Sequence, residues 1–70
     1  MVTVNGKEQA FVPYTVLALL QAHGFQAATV AVECNGEILS RENWDKQLVA
    51  DGDVYEIIRF VVGGWAWEWA

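Results

Sequence analysis

Gly63 and Gly64 stand side by side where a β-type run, residues 54–62, comes to its end, with only six residues after them. Adjacent glycines pack nothing and lose more backbone entropy on ordering than any other pair, so a strand closes on them for a local reason. Two reasons fit: a turn into one further strand, or a slim arm that threads a narrow active site on another protein. The residues that follow, Trp65, Ala66, Trp67, Glu68, Trp69 and Ala70, make at most one short edge strand, so the pair sits at the foot of the domain. Other side chains of reactive type are Cys34 with His23, a thiol and a base, and Glu33 with Glu37, two carboxylates flanking a turn. Each has a plainer reading. Cys34 lies on an apolar strand, where a thiol is a small buried hydrophobe, and His23 near a helix C-terminus is explained by the dipole. Two carboxylates without histidines or further ligands do not make a metal centre, so no catalytic or metal residue is assigned. Trp44, in a polar stretch, reads as the anchor that pins that stretch to the core, in preference to a platform on which a ring stacks.

The elements that hold these residues must come from one small domain. Seventy residues with 54% apolar content leave no room for a second core, and one core of this size supplies roughly 3–5 kcal/mol. Nine acids against four bases, net −5, argue against nucleic acid, because phosphate binding needs a basic stripe and Lys7, Arg41, Lys46 and Arg59 are scattered. An acidic surface favours encounter with a basic protein partner. The longest apolar run is too short to span a bilayer, residues 1–8 lack the pattern of a signal peptide, and the single cysteine fits a reducing compartment, so the expected location is the cytoplasm, away from any membrane.

Val2, Thr3 and Val4 alternate and run into Asn5-Gly6, the strongest short hairpin signal, which makes residues 1–12 a β-hairpin closed by Pro13. Thr15 is placed as an N-cap for a helix over residues 16–23, where Val16, Leu19, Leu20 and His23 form one stripe toward a core and Gly24 stops the helix. Residues 29–34 read as a buried strand, and Asn35-Gly36 gives a second hairpin into Glu37, Ile38 and Leu39. Residues 40–47 form a surface loop or single turn held by Trp44, and Asp51-Gly52-Asp53 forms a turn. In the last strand, Tyr55, Ile57, Arg59 and Val61 share one face, and Val54, Glu56, Ile58, Phe60 and Val62 share the other. With Tyr55 and Ile57 in the core, the open face carries Val54, Ile58, Phe60 and Val62 as a candidate docking patch, unless a packing partner such as the tail covers it. The order strand, strand, helix, strand, strand predicts an α+β β-grasp domain: a mixed sheet of four or five strands around one helix, with first and last strands parallel at the centre.

The hairpin at Asn5-Gly6, the helix start Thr15-Val16 with Leu19-Leu20, the run Val30-Ala31-Val32 before Asn35-Gly36, then Arg41, Trp44, Asp51-Gly52-Asp53 and Gly63-Gly64 carry a resemblance. Over residues 1–64 the chain resembles the ubiquitin-like sulfur carriers of thiamine biosynthesis. Carriers serving molybdopterin or cysteine synthesis share the fold and the glycines, and Arg41 with Trp44 points to the thiamine branch. The resemblance implies a carrier without catalytic groups or bound cofactor. An adenylyltransferase of the ubiquitin-activating type uses ATP to adenylate the C-terminal glycine carboxylate, a persulfide sulfur replaces the adenylate, and the thiocarboxylate donates sulfur to thiazole synthase or another acceptor enzyme. On this chain Gly64 is then the sulfur acceptor and Gly63 the slim neck. Two departures stand out: Pro13 replaces a glycine that relatives often carry before the helix cap, and residues 65–70 extend past the glycine pair. A peptide-bonded Gly64 has no carboxylate to adenylate, so the carrier reading needs a processing protease that cuts after Gly64. The alternatives are a protein-interaction module with a permanent tryptophan-rich tail, whose Trp65, Trp67 and Trp69 share one face of an added strand, and a protein modifier joined to lysines through Gly64.

Overall fold

The computed structural model describes residues 1–60 and 67–69, with residues 60 and 67–69 described through their backbone. Strand β1 (Val2–Val4) turns at Asn5 and Gly6, both at positive φ (50° and 81°), into β2 (Lys7–Gln9). This hairpin is shorter than residues 1–12, because β2 ends at Gln9 and is an edge strand with Lys7 and Glu8 exposed and Gln9 half-buried. Helix α1 (Val16–Ala22) starts where Thr15 Oγ1 accepts the Ala18 N–H at 3.1 Å. Its first free N–H groups find partners outside the helix: Val16 N–H donates to Gln47 O and Leu17 N–H to Trp44 O, both at 2.9 Å. Val16, Leu19 and Leu20 are buried. His23 does not extend that stripe as the spacing predicts. It is the C-cap residue, exposed, and stacks on Phe25 with ring centroids 6.3 Å apart, because a seven-residue helix ends before its third turn returns to the core.

Strand β3 (Val30–Cys34), entered through a 3₁₀ turn at Ala27–Thr29, turns at Asn35 and Gly36 into the two-residue β4 (Glu37–Ile38). A second 3₁₀ turn (Arg41–Asn43) leads to Trp44, which is buried and donates Nε1–H to Leu39 O at 3.3 Å. Strand β5 (Val54–Phe60) lies at the centre, parallel to β1 on one side and antiparallel to β3 on the other, in the order β2-β1-β5-β3-β4. The core lies between this sheet and α1: Val2, Val4, Val30, Val32, Cys34, Tyr55 and Ile57 from the strands meet Val16, Leu19 and Leu20 from the helix, with Trp44 and Val49 closing the side. The predicted β-grasp architecture is thus the observed one.

One strand goes beyond the five. Strand β6 (Trp67–Trp69) pairs antiparallel with β5, with Trp69 opposite Ile58, Glu68 opposite Arg59 and Trp67 opposite Phe60. Since β3 already fills one edge of β5 from Tyr55 to Arg59, β6 lies on the edge that β1 leaves after pairing with Val54 and Tyr55. The connection between β5 and β6, residues 61–66, lies outside the described residues, and with it Val62, Gly63 and Gly64.

Candidate functional site

Strand alternation sorts β5 into two faces with opposite surroundings. Tyr55 and Ile57 are fully buried under α1, as the sequence pattern predicts. Val54, Glu56 and Ile58 lie on the face away from the helix, and the register adds their neighbours there: Thr3 beside Val54, Glu33 beside Glu56, Ala31 beside Ile58, and Ile38 beside Glu33. Val54 is 43% exposed and Ile38 78%, while Ile58 is half-buried and forms the floor of a shallow groove of about 300 Å³ with Ala31, Val32, Glu33 and Ile38. An apolar groove lined on one side by Glu33, with Glu56 opposite Glu33 on the neighbouring strand, suits a partner that brings an apolar side chain flanked by basic ones. Of the predicted docking residues, Val54 and Ile58 lie on this face. Phe60 is the last residue of β5 and its side chain falls outside the described structure, as do Val62 and the glycines.

Three polar residues fix where β5 begins, and the sequence pattern marked them only as turn formers. Asp53 accepts hydrogen bonds from the Tyr55 hydroxyl and the Ala50 N–H, both at 2.9 Å, and from Asn35 Nδ2 at 3.1 Å. Asn35 Oδ1 in turn accepts the Val54 N–H at 2.9 Å. Burial on its own pushes the Asp53 carboxyl up, but the bonds from Ala50, Asn35 and Tyr55 outweigh it and hold the group below the ordinary carboxylate range. Asn5 does the matching work on the other edge: its N–H donates to Tyr55 O at 2.9 Å, and its Oδ1 accepts the Ile57 N–H at 2.7 Å. The Asn-Gly and Asp-Gly-Asp signals located these residues, but nothing in a turn signal announces a side chain that bonds to a strand far away in the chain.

The remaining residues of reactive type lie away from that face or at its turn. Cys34 is buried, and that burial raises its thiol pKa, with the Tyr55 and Asp53 groups close by. Glu33 and Glu37 stand on opposite sides of the Asn35-Gly36 turn, and among the described residues no cluster of three or more histidine, cysteine or acidic side chains is placed to hold a metal. Trp44 is 3% exposed, and Arg41 lies over its ring at 4.9 Å while donating to Ala27 O and, at 2.6 Å, to Val30 O. The indole is occupied by packing and by that guanidinium, which also ties the 3₁₀ turn at Arg41–Asn43 to the start of β3. No helix among the described residues is long and apolar enough to cross a membrane.

A sequence model described as the ThiS family matches residues 2–64. The chain is 35% identical over 66 residues to the sulfur carrier protein ThiS of Bacillus subtilis, covering 91% of this chain and 100% of that one. It is 42% identical over 62 residues to a thiazole synthase of Paramagnetospirillum magneticum; the match takes in 87% of this chain but only 19% of that protein. The crystal structure of the thiamine biosynthesis protein (ThiS) from Geobacter metallireducens superposes with a TM-score of 0.76 at 43% identity, covering 90% of this chain and 97% of that one. A solution structure of a thiamine biosynthesis protein from the same organism gives 0.71 at 40% identity, covering 93% and 88%. With the β-grasp order, the parallel β1–β5 pair and a match that ends on Gly64 all in agreement, the chain belongs to the ThiS family.

Proposed function

We propose that this chain is a sulfur carrier of thiamine biosynthesis whose working form is residues 1–64, with Gly64 as the group that is charged and Gly63 as its neck. The observation that carries this reading is the family match over residues 2–64, which closes on the second glycine and leaves residues 65–70 outside. An adenylyltransferase of the ubiquitin-activating type joins the freed Gly64 carboxylate to the α-phosphate of ATP with loss of pyrophosphate. A persulfide sulfur then attacks the acyl carbon and displaces AMP, and cleavage of the S–S bond by a thiol leaves the thiocarboxylate. The carrier supplies an arm and a docking surface, Val54 and Ile58 with Phe60 and Val62 beyond them, and the catalytic groups and the ATP belong to the partner. Four extended residues after β5 reach roughly 13 Å, and glycine backbone passes where a side chain would clash. The sulfur goes to a thiazole synthase, and the 42% identity between this chain and part of a protein of that name supports that direction.

A second reading has an observation of its own. Strand β6 adds to the sheet, so the glycine pair lies in the connection between two paired strands, as it would in an interaction module whose tail is permanent. The intact mass of the protein isolated from its own cells separates the two. The carrier reading expects a form ending at Gly64, alone or beside the longer chain. A population in which every molecule retains residues 65–70 contradicts it.

A further inference from the structure

Backbone groups of β5 point sideways in strict alternation. Tyr55 O accepts from Asn5 N–H at 2.9 Å and Ile57 N–H donates to Asn5 Oδ1 at 2.7 Å, both toward β1, whereas Val54 O accepts from Asn35 N–H at 2.8 Å toward β3. The odd-numbered residues of β5 therefore address the β1 edge. That edge is filled by β1 at Val54 and Tyr55 and by the Asn5 side chain at Ile57, so the next groups along it are the N–H and C=O of Arg59. Glu68 of β6 stands opposite Arg59, which makes this the pair that exchanges both ladder bonds, with Ile58/Trp69 and Phe60/Trp67 as the non-bonded pairs on either side. An unfilled edge of this kind is a template for another strand.

We propose that the β5 edge at Arg59 is a strand-acceptor site: β6 is its resident occupant, and a chain that lacks residues 65–70 offers the same edge to an extended segment of a protein partner. The segment that fits runs antiparallel to β5, with an acidic residue opposite Arg59 and large apolar residues on both sides of it, as β6 has in Glu68, Trp67 and Trp69. This rests on the fold alone and not on sulfur transfer, so it stands or falls separately from the carrier reading. The tether sets the affinity. A short connection holds β6 at an effective concentration of about 1 mM, so a closed strand implies that the same segment, supplied free, binds with a Kd at or below about 1 mM.

The experiment is amide hydrogen exchange by NMR on three proteins: the 70-residue chain, a chain ending at Gly64, and the full chain carrying Glu68→Pro, which removes the N–H that β6 presents to Arg59. Among the described residues every buried core residue lies between Val2 and Ile57, within the short chain, and the Ile57 amide, held by Asn5, reports whether the fold is intact in each protein. The Arg59 amide should exchange about tenfold faster or more in the short chain and in the proline variant, with Ile57 unchanged. A synthetic peptide of residues 65–70, at a few times the effective concentration of about 1 mM, should restore Arg59 protection in the short chain and leave the full chain unaffected. Equal Arg59 protection with and without the tail overturns the proposal. So does a peptide that fails to restore protection, or one that perturbs the full chain as much as the short one.

Discussion

Asp53 is the residue on which the position of β5 most depends, since one carboxylate holds Ala50, Asn35 and Tyr55 at once. Its pKa is lowered in the folded state, so the stability it contributes is present above the ordinary carboxylate value and is lost as pH falls through the folded one. Chemical denaturation followed from pH 7 down to pH 2 should show stability declining below about pH 4. Asp53→Asn should cost about 1–3 kcal/mol at neutral pH and make that acid decline shallower. An unchanged acid limb in the variant would assign it to other carboxylates. Trp44 makes the larger contribution. The indole is 3% exposed, and truncation by Trp44→Ala should cost about 3–5 kcal/mol, enough to leave a domain of this size mostly unfolded, as circular dichroism at 37 °C would register.

At the scale of elements, β5 serves two surfaces at once. Its buried alternate residues hold the helix, and the other set, Val54, Glu56 and Ile58, faces outward beside Ala31 and Ile38. A charge in that outward groove should cost the fold at most about 1 kcal/mol but the partner interface roughly 2 kcal/mol or more. Ile58→Asp in the chain ending at Gly64 should therefore melt near the parent temperature while its rate of adenylation at limiting enzyme falls about thirtyfold. Loss of the folded signal instead would make this face part of the core. The hairpins, the cap at Thr15, the faces of β5 and the anchoring role of Trp44 were legible in the sequence because each is a local rule: a turn pair, a hydroxyl before a helix, a period of two, one indole in a polar run. What escaped is non-local. Asn5 and Asp53 act on strands that reach them only after folding, and Ala31 and Ile38 join Ile58 through a register that alternation on one strand does not specify. His23 was misassigned because its spacing continues the stripe of Leu19 and Leu20, whereas the helix closes at Ala22 and the next residue turns out to solvent.

On the scale of the whole molecule, the chain is split between residues 2–64, which match the ThiS family, and residues 65–70, whose strand β6 adds to the same sheet. The split sets what each form does. While Gly64 is joined to Trp65 its carbonyl is an amide and offers no nucleophile to ATP. The most direct measurement is ATP–pyrophosphate exchange with a ThiS-activating adenylyltransferase, read together with intact mass after addition of a sulfur donor, for the chain ending at Gly64 beside the 70-residue chain. The short chain should support exchange and gain about 16 mass units as one carboxylate oxygen is replaced by sulfur, and the long chain should do neither, since a terminal glycine arm can enter a narrow site that a tryptophan cannot follow. Thiocarboxylation of the uncut chain at the same rate, or a short chain that is never adenylated, would contradict the account.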